Sequence, residues 1–332
     1  MDSRIILADK NGTEIKYLDG VEADIDIGTD NDFELKTSVQ NWDKQMTFDS
    51  LVYIEGTEFG GSIKEVESDT SQDAIYARGN TFRGMLVKKV IEPPQGKDYR
   101  TVSGDVCNIV RDLISEYGLS DLFSVVDLVD VIEVQNFQFD RYVTLLDGIV
   151  KMLQSINHRL SLAYIKNSRD AGYVRVQIVP IKDYSGEMEL SQDCRLNFVA
   201  NEKRNGVNHL ICLGKGELKD RVVKHLYVQK NGSIGEKQHY FGIEEITETY
   251  YYNNAEEEEL VKKGMERLKE RMNSKAFKPS IKDDIQEEYE IGDIIAGRDY
   301  ITGITVRKPV VGKIYTFSDG TEKIYYKIEG DD

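Results

Sequence analysis

The chain is poor in the residues that carry most enzyme and metal chemistry. Three cysteines, Cys107, Cys194 and Cys212, are scattered through 332 residues with no short spacing between them. That argues against a disulfide framework and a thiolate zinc site and fits a reducing compartment, with buried apolar thiols as the expectation. The four histidines, His158, His209, His225 and His239, contain no HxxxH pair. His209 and His225 could meet across neighbouring strands, but no cysteine or carboxylate pattern completes a ligand set. No serine stands in a GxSxG elbow, and no cysteine lies in a local nucleophile signature. No apolar run approaches the ~20 residues of a membrane span, so no membrane insertion is expected. The opening MDSRIILADKNG lacks a basic region followed by an apolar stretch, so no signal peptide is expected.

Two stretches come near a motif and fall short. Gly214-Lys215-Gly216 has neither the third glycine of GxGxxG nor the GK[ST] of a P-loop, which leaves a strand-end turn. Asp24, Asp26, Asp30 and Asp32 resemble a calcium run. Counted from Asp24, however, the sixth and twelfth positions are Thr29 and Leu35, where an EF-hand loop needs glycine and glutamate. Solvated charge is the expectation there, with a weak cation site as the alternative. With 59 acidic residues in the chain, no chosen carboxylate pair is informative. No catalytic, cofactor or metal residue is therefore assigned.

What the chain has is acid and short strands. Acidic residues outnumber the 43 basic ones, giving a formal net charge of −16. Nucleic-acid affinity comes mainly from Lys and Arg on phosphates, so a grip on DNA is not expected. Such a surface suits solubility, or a wall that DNA passes without adsorbing.

Residues 1–96 read as strand and turn, and such density implies a small barrel or sandwich. Asn11-Gly12 marks a hairpin, GVEADIDIG alternates apolar with acidic residues, and Phe33–Val39, Leu51–Glu55 and Ile63–Val66 are further strands. Trp42, the only tryptophan, is expected to anchor a loop. Residues 97–195 form an α+β block. Val102 to Tyr117 carries one helical stripe ending at Gly118, and Asp140 is the expected cap of a second helix through Ile156. Val131–Phe139 is a strand, and Leu160–Ile165 pairs with Tyr173–Val179 across a turn at 167–172. Residues 196–332 return to strands. These are Asn208–Leu213, Val222–Gln229, Ile281–Glu287, Asp293–Ala296, Ile304–Thr316 and Lys323–Ile328, interrupted by a charged helix at about 253–278. The tyrosines of TETYYYNN, Tyr250 to Tyr252, serve either a subunit contact or packing within their own domain.

The stretch Asp73–Pro94, DAIYARGNTFRGMLVKKVIEPP, reads as two strands joined through Gly79-Asn80 and stopped by Pro93-Pro94. It resembles a strand pair found in tail-hub proteins of siphophages and related prophages. Those are similar to the baseplate hub of contractile tails and to the N-terminal module of tail-associated lysins. The segment from Tyr289 to Ile314, with its Gly292-Asp293 turn, resembles the last-barrel pattern of the same family. The resemblance implies an α+β, mainly β fold with two small β-barrel, tube-like domains flanking the α+β domain. It implies a non-enzymatic structural protein of the virion tail, assembled in the host cytoplasm, with no cofactor. Three chains would place six barrels in a ring that adapts the six-fold tube to a three-fold tip and lets DNA through. The implied partners are two further copies of the chain, the tail tube protein, the distal tail protein and tip, spike or fibre proteins. Two alternatives are a peptidoglycan hydrolase module and a receptor- or carbohydrate-binding tip protein. The first is disfavoured because the chain is expected to end directly after its last strand, leaving no room for a catalytic domain.

Overall fold

The first hairpin forms where the glycine signal places it. β1 (Ile5–Ala8) and β2 (Glu14–Tyr17) run antiparallel, and Gly12 takes φ +85°. In this computed structural model the described residues are 4–167, 171–186, 189–190, 197–203, 205–272, 274–280, 289–298 and 301–329. The expected strand Ile281–Glu287, the centre of the 167–172 turn, Cys194 and the last three residues lie outside them.

β3 (Val21–Ile27), β4 (Asp32–Ser38), β5 (Leu51–Ile54), β6 (Gly60–Asp69) and β7 (Ala74–Thr81) follow as expected for an alternating, half-wet sheet. The expected turn at Gly79-Asn80 is absent, because both residues lie inside β7. Gly79 is needed for a different reason. A Cβ there would come within 1.9 Å of the Ser62 carbonyl on the adjacent strand. The expected second strand is likewise replaced by helix α1 (Phe82–Val87) and only then by short β8 (Val90–Ile91). Thr81 caps α1 by accepting from the Gly84 amide, and Phe82 and Leu86, one turn apart, both enter the core.

Next come β9 (Thr101–Asp105), α2 (Val106–Glu116), β10 (Phe123–Val125), β11 (Glu133–Gln138) and β12 (Val143–Thr144). They are followed by α3 (Leu145–Gln154), β13 (His158–Ile165), β14 (Tyr173–Pro180) and β15 (Glu189–Leu190). α2 starts four residues later than the stripe suggests, since Asp105 caps it and Val102 pairs within β9. α3 is capped by Thr144 rather than Asp140, which instead forms an ion pair with Lys151. The glycine at the end of α2, Gly118, takes φ +68°, as a helix stop requires.

Then come β16 (Asn197–Lys203), β17 (His209–Leu213), β18 (Val223–Val228), β19 (Ile234–Gly235), β20 (Thr247–Tyr251) and α4 (Glu257–Arg271). The chain closes with β21 (Ser274–Ser280), β22 (Ile294–Arg298), β23 (Thr305–Ser318) and β24 (Thr321–Ile328). The charged helix is shorter than expected. Met272 is already extended, and β21, which holds Pro279, pairs with β16 instead of continuing α4. Asp319 and Gly320 both take positive φ in the turn between β23 and β24.

The chain divides into two compact units. The larger comprises Met1–Asn197, Pro279–Gly297 and Arg307–Asp332; the smaller comprises Phe198–Lys278 and Arg298–Val306. In the larger, one sheet of eleven strands runs β15-β22-β23-β3-β4-β7-β6-β5-β1-β2, with β24 beside β23. Strands from both ends of the chain thus share one sheet through the β23–β3 ladder. The mainly β, α+β character agrees with expectation, but none of the described sheets closes into a barrel. Among the described residues the larger unit shows two apolar cores. One lies under the sheet around Ile25, Leu35 and Phe59, and the other gathers α1, α2, α3, β13 and β14. Trp42 packs at the edge of the first, as an anchor. In the smaller unit β19-β18-β17-β20 form a sheet, and Leu260 and Leu268 of α4 cover Leu210, Cys212 and Leu226. Cys107 and Cys212 are buried free thiols, and burial pushes the Cys212 thiol up to about 11.

Candidate functional site

The sequence-derived candidates do not converge on a reaction centre. Lys215 forms an ion pair with Glu256 at 2.6 Å, and Gly216, at φ +98°, turns the chain into a short 3-10 helix, so Gly214–Gly216 is a strand-end turn. Among the described residues no three metal-ligating side chains are grouped to hold an ion. The two carboxylates Asp24 and Asp26, both expected on the wet face, separate. Asp24 is exposed, whereas Asp26 is only 6% exposed.

Asp26 is already fully engaged. Its carboxylate accepts from Lys327 Nζ (2.8 Å), Thr29 Oγ1 (2.7 Å) and the Asp30 amide (3.0 Å). Burial pushes this carboxyl up, but the bonds from Lys327 and Thr29 together leave it below its ordinary value. A carboxyl lowered by folding stabilises the fold above its ordinary titration range. That contribution is lost as pH falls through the lowered value. Lys327→Met is therefore expected to cost about 1.5–3 kcal/mol at neutral pH. In urea unfolding the gap to the parent chain should narrow as pH falls through the lowered value, below which Asp26 is protonated in both.

The charged site that the structure does assemble is the wet face of β23, β3, β4, β7 and β6. Side-chain alternation and register align Thr316, Asp24, Glu34, Arg78 and Glu65 in one row across five strands. The next row is Glu22, Lys36, Tyr76 and Glu67. Arg78 is the central cation, bonded to Glu34 (2.5 Å), Glu65 (2.9 Å) and Glu67 (2.5 Å). Glu67 first and Glu34 next hold its guanidinium firmly protonated. Lys36 pairs with Glu22 at 3.1 Å, and at the margin Lys64 pairs with Asp49. A concavity of about 480 Å³ opens here, lined by Asp24, Asp32, Glu34, Lys64, Glu65 and Arg78. Asp24, though exposed, is raised above its ordinary value first by partial desolvation against the sheet, then by the charges of Asp26, Glu34 and Asp32. Asp32 is raised by burial and by Asp30 and Asp26. These two carboxylates crowd like charges, so the face is a net acidic wall laced by one arginine.

The tyrosine alternatives divide. Tyr250 and Tyr252 pack against the core of the smaller unit, and Tyr252 donates to Glu259 at 2.8 Å, while Tyr251 is 60% exposed. His209 and His225 do meet across β17 and β18, with Nε2 and Nδ1 2.8 Å apart. Two features have no signal in the sequence. Arg83 and Glu58 form a buried ion pair from positions 25 residues apart, and Glu245 approaches His209 from a separate loop. Exposed Val129 and Val131, in the loop before β11, would have required knowing that the loop leaves them uncovered.

No family model and no curated protein sequence matches the chain. Solved structures do. The 43 kDa tail protein of prophage MuSo2 from Shewanella oneidensis superposes with a TM-score of 0.55 at 11% identity, over 98% of this chain and 97% of that one. The tail protein from Neisseria meningitidis MC58 superposes with a TM-score of 0.52 at 14% identity, over 98% and 96%. The resemblance seen in the sequence and the folded architecture agree: this chain is built on the fold of phage tail proteins.

Proposed function

We propose that the chain is a structural, non-enzymatic hub of a phage or prophage tail, placed at the baseplate or tip. Three copies form a ring that adapts the six-fold tube to a three-fold tip and passes DNA. The reading takes the strand-rich segments 1–96 and 196–332 as the tube-facing modules, with the α+β segment 97–195 between them. The observation that carries it is the β3–β23 ladder, which sets strands from the two ends of the chain side by side in one sheet. Two such modules per chain give six in a trimer, and repeated heterologous contacts close naturally at three. The acidic wall on β3, β4, β7 and β6 is the surface that would face DNA. Three chains carry 3 × −16 = −48 formal charges, so a phosphate backbone passes without adsorbing. The neighbours in this reading are the tube protein above, the distal tail protein around it, and the tip, spike or fibre protein below.

Light scattering on the purified chain tests the assembly. The expected mass is three times 37.9 kDa, and a monomer persisting at high concentration would count against the ring.

A further inference from the structure

The smaller unit carries an apolar projection and an apolar groove that do not meet within one chain. The projection is Phe241-Gly242-Ile243. Phe241 is 63% exposed and Ile243 103% exposed, while Tyr240 and Ile246 on either side pack against the core of the unit. Gly242 takes φ +62° and opens a single 3-10 turn, Gly242–Glu244. The mounting is stiff. Asn208 donates to the Glu244 carbonyl (2.6 Å) and accepts from the Ile246 amide (3.0 Å). The Glu245 carboxylate bonds His209 at 2.7 Å, and the Gln238 side chain donates to the Tyr240 carbonyl at 3.0 Å. An apolar tip held this way loses little freedom on docking, which is what an interface anchor requires.

The groove runs along α4. Leu260, Gly264 and Leu268 are the buried residues of this helix, so its other stripe looks outward. There Val261 and Met265, with Glu258, Lys262, Glu266 and Lys269, line an open concavity of about 520 Å³. Phe241 and Ile243 do not line it. α4 covers the sheet face that holds Leu210, Cys212 and Leu226. His209 and Tyr227, directly opposite each other in the β17–β18 ladder, stand on the other face, and there Glu245 ties the projection down.

We propose that the Phe241–Ile243 projection of one copy seats in the α4 groove of the next. The contact rests on the hub reading, which supplies the neighbouring copy. A patch and its complement at different places on one chain form a heterologous interface, the kind that generates rings. Charge points to this occupant. Glu266 is paired with Lys263 at 2.7 Å, whereas Lys262 and Lys269 form no ion pair among the described residues. Glu244, exposed and next to Ile243, forms none there either. Seating Ile243 over Val261 and Met265 brings Glu244 to those two lysines, so apolar meets apolar and acid meets base.

Light scattering of the full chain over a dilution series tests the contact. Ile243→Glu alters a fully exposed side chain and is expected to weaken association at least about tenfold, with thermal stability unchanged. Lys262→Glu combined with Lys269→Glu should weaken it comparably, and adding Glu244→Lys to that chain should restore much of the loss. Mixing the Ile243→Glu chain with the lysine double variant should give pairs of chains held by one intact contact, since each keeps what the other lacks. A monomeric parent chain would overturn the hub reading and this contact together. An assembled parent that Ile243→Glu leaves intact would overturn the contact alone and leave the groove to a different tail protein. Failure of the charge exchange, or of the mixture, to restore association would also overturn it.

Discussion

Replacing Arg83 with methionine is expected to destabilise the larger unit by about 3–5 kcal/mol. Arg83 and Glu58 are 3% and 7% exposed. The guanidinium contacts Glu58 through two nitrogens and also donates to the Leu160 carbonyl at 3.1 Å. Removing it strands a buried carboxylate and takes one donor from a carbonyl on β13. The penalty for an unpaired buried charge exceeds the net worth of the intact pair. Changing Glu58 to Gln in the same chain should therefore recover a good part of the loss. Urea denaturation of the single and double variants measures this. A single variant within about 1 kcal/mol of the parent would mean that water reaches Glu58.

Tyr164→Ala is expected to cost about as much, 3–5 kcal/mol. Its ring is fully buried, stacked on Tyr53 at 3.9 Å and against Phe82 at 5.6 Å. Its hydroxyl donates to the Gly12 carbonyl at 3.3 Å, reaching back to the first hairpin. Burial pushes this hydroxyl up to about 12, so it remains a donor throughout the working pH range. The substitution opens a cavity between β1, β5, α1 and β13 that rigid strands on several sides cannot close. Tyr164→Phe removes only the hydrogen bond and should cost about 1 kcal/mol. Thermal unfolding of the two variants separates ring from hydroxyl.

Much of the fold was legible because period and turn chemistry are local. The alternation in β3, the stripe of α2 and the turn at Gly12 are set by near neighbours in sequence. The misreadings have non-local causes. Gly79 looked like a turn residue, yet it serves the close approach of β6. Arg83 to Ile91 looked like one strand, yet a threonine cap and a waiting core made Phe82–Val87 helix. The calcium-like spacing of Asp24 to Asp32 says nothing of Lys327, which arrives from the other end of the chain and occupies Asp26. The acidic wall was readable only as net charge, because its rows exist through register between strands and not along any one of them.

The β3–β23 ladder also bears on how this polypeptide reaches its native state. Ile25 lies opposite Tyr315, about 290 residues later. During synthesis the edge of β3 must wait, unpaired, until nearly the whole chain has left the ribosome. Such distant closure slows folding, and a naked strand edge invites pairing with another nascent copy. Premature termination before β23 would leave that edge permanently open, so truncated products should collect in the insoluble fraction while the full-length chain remains in solution.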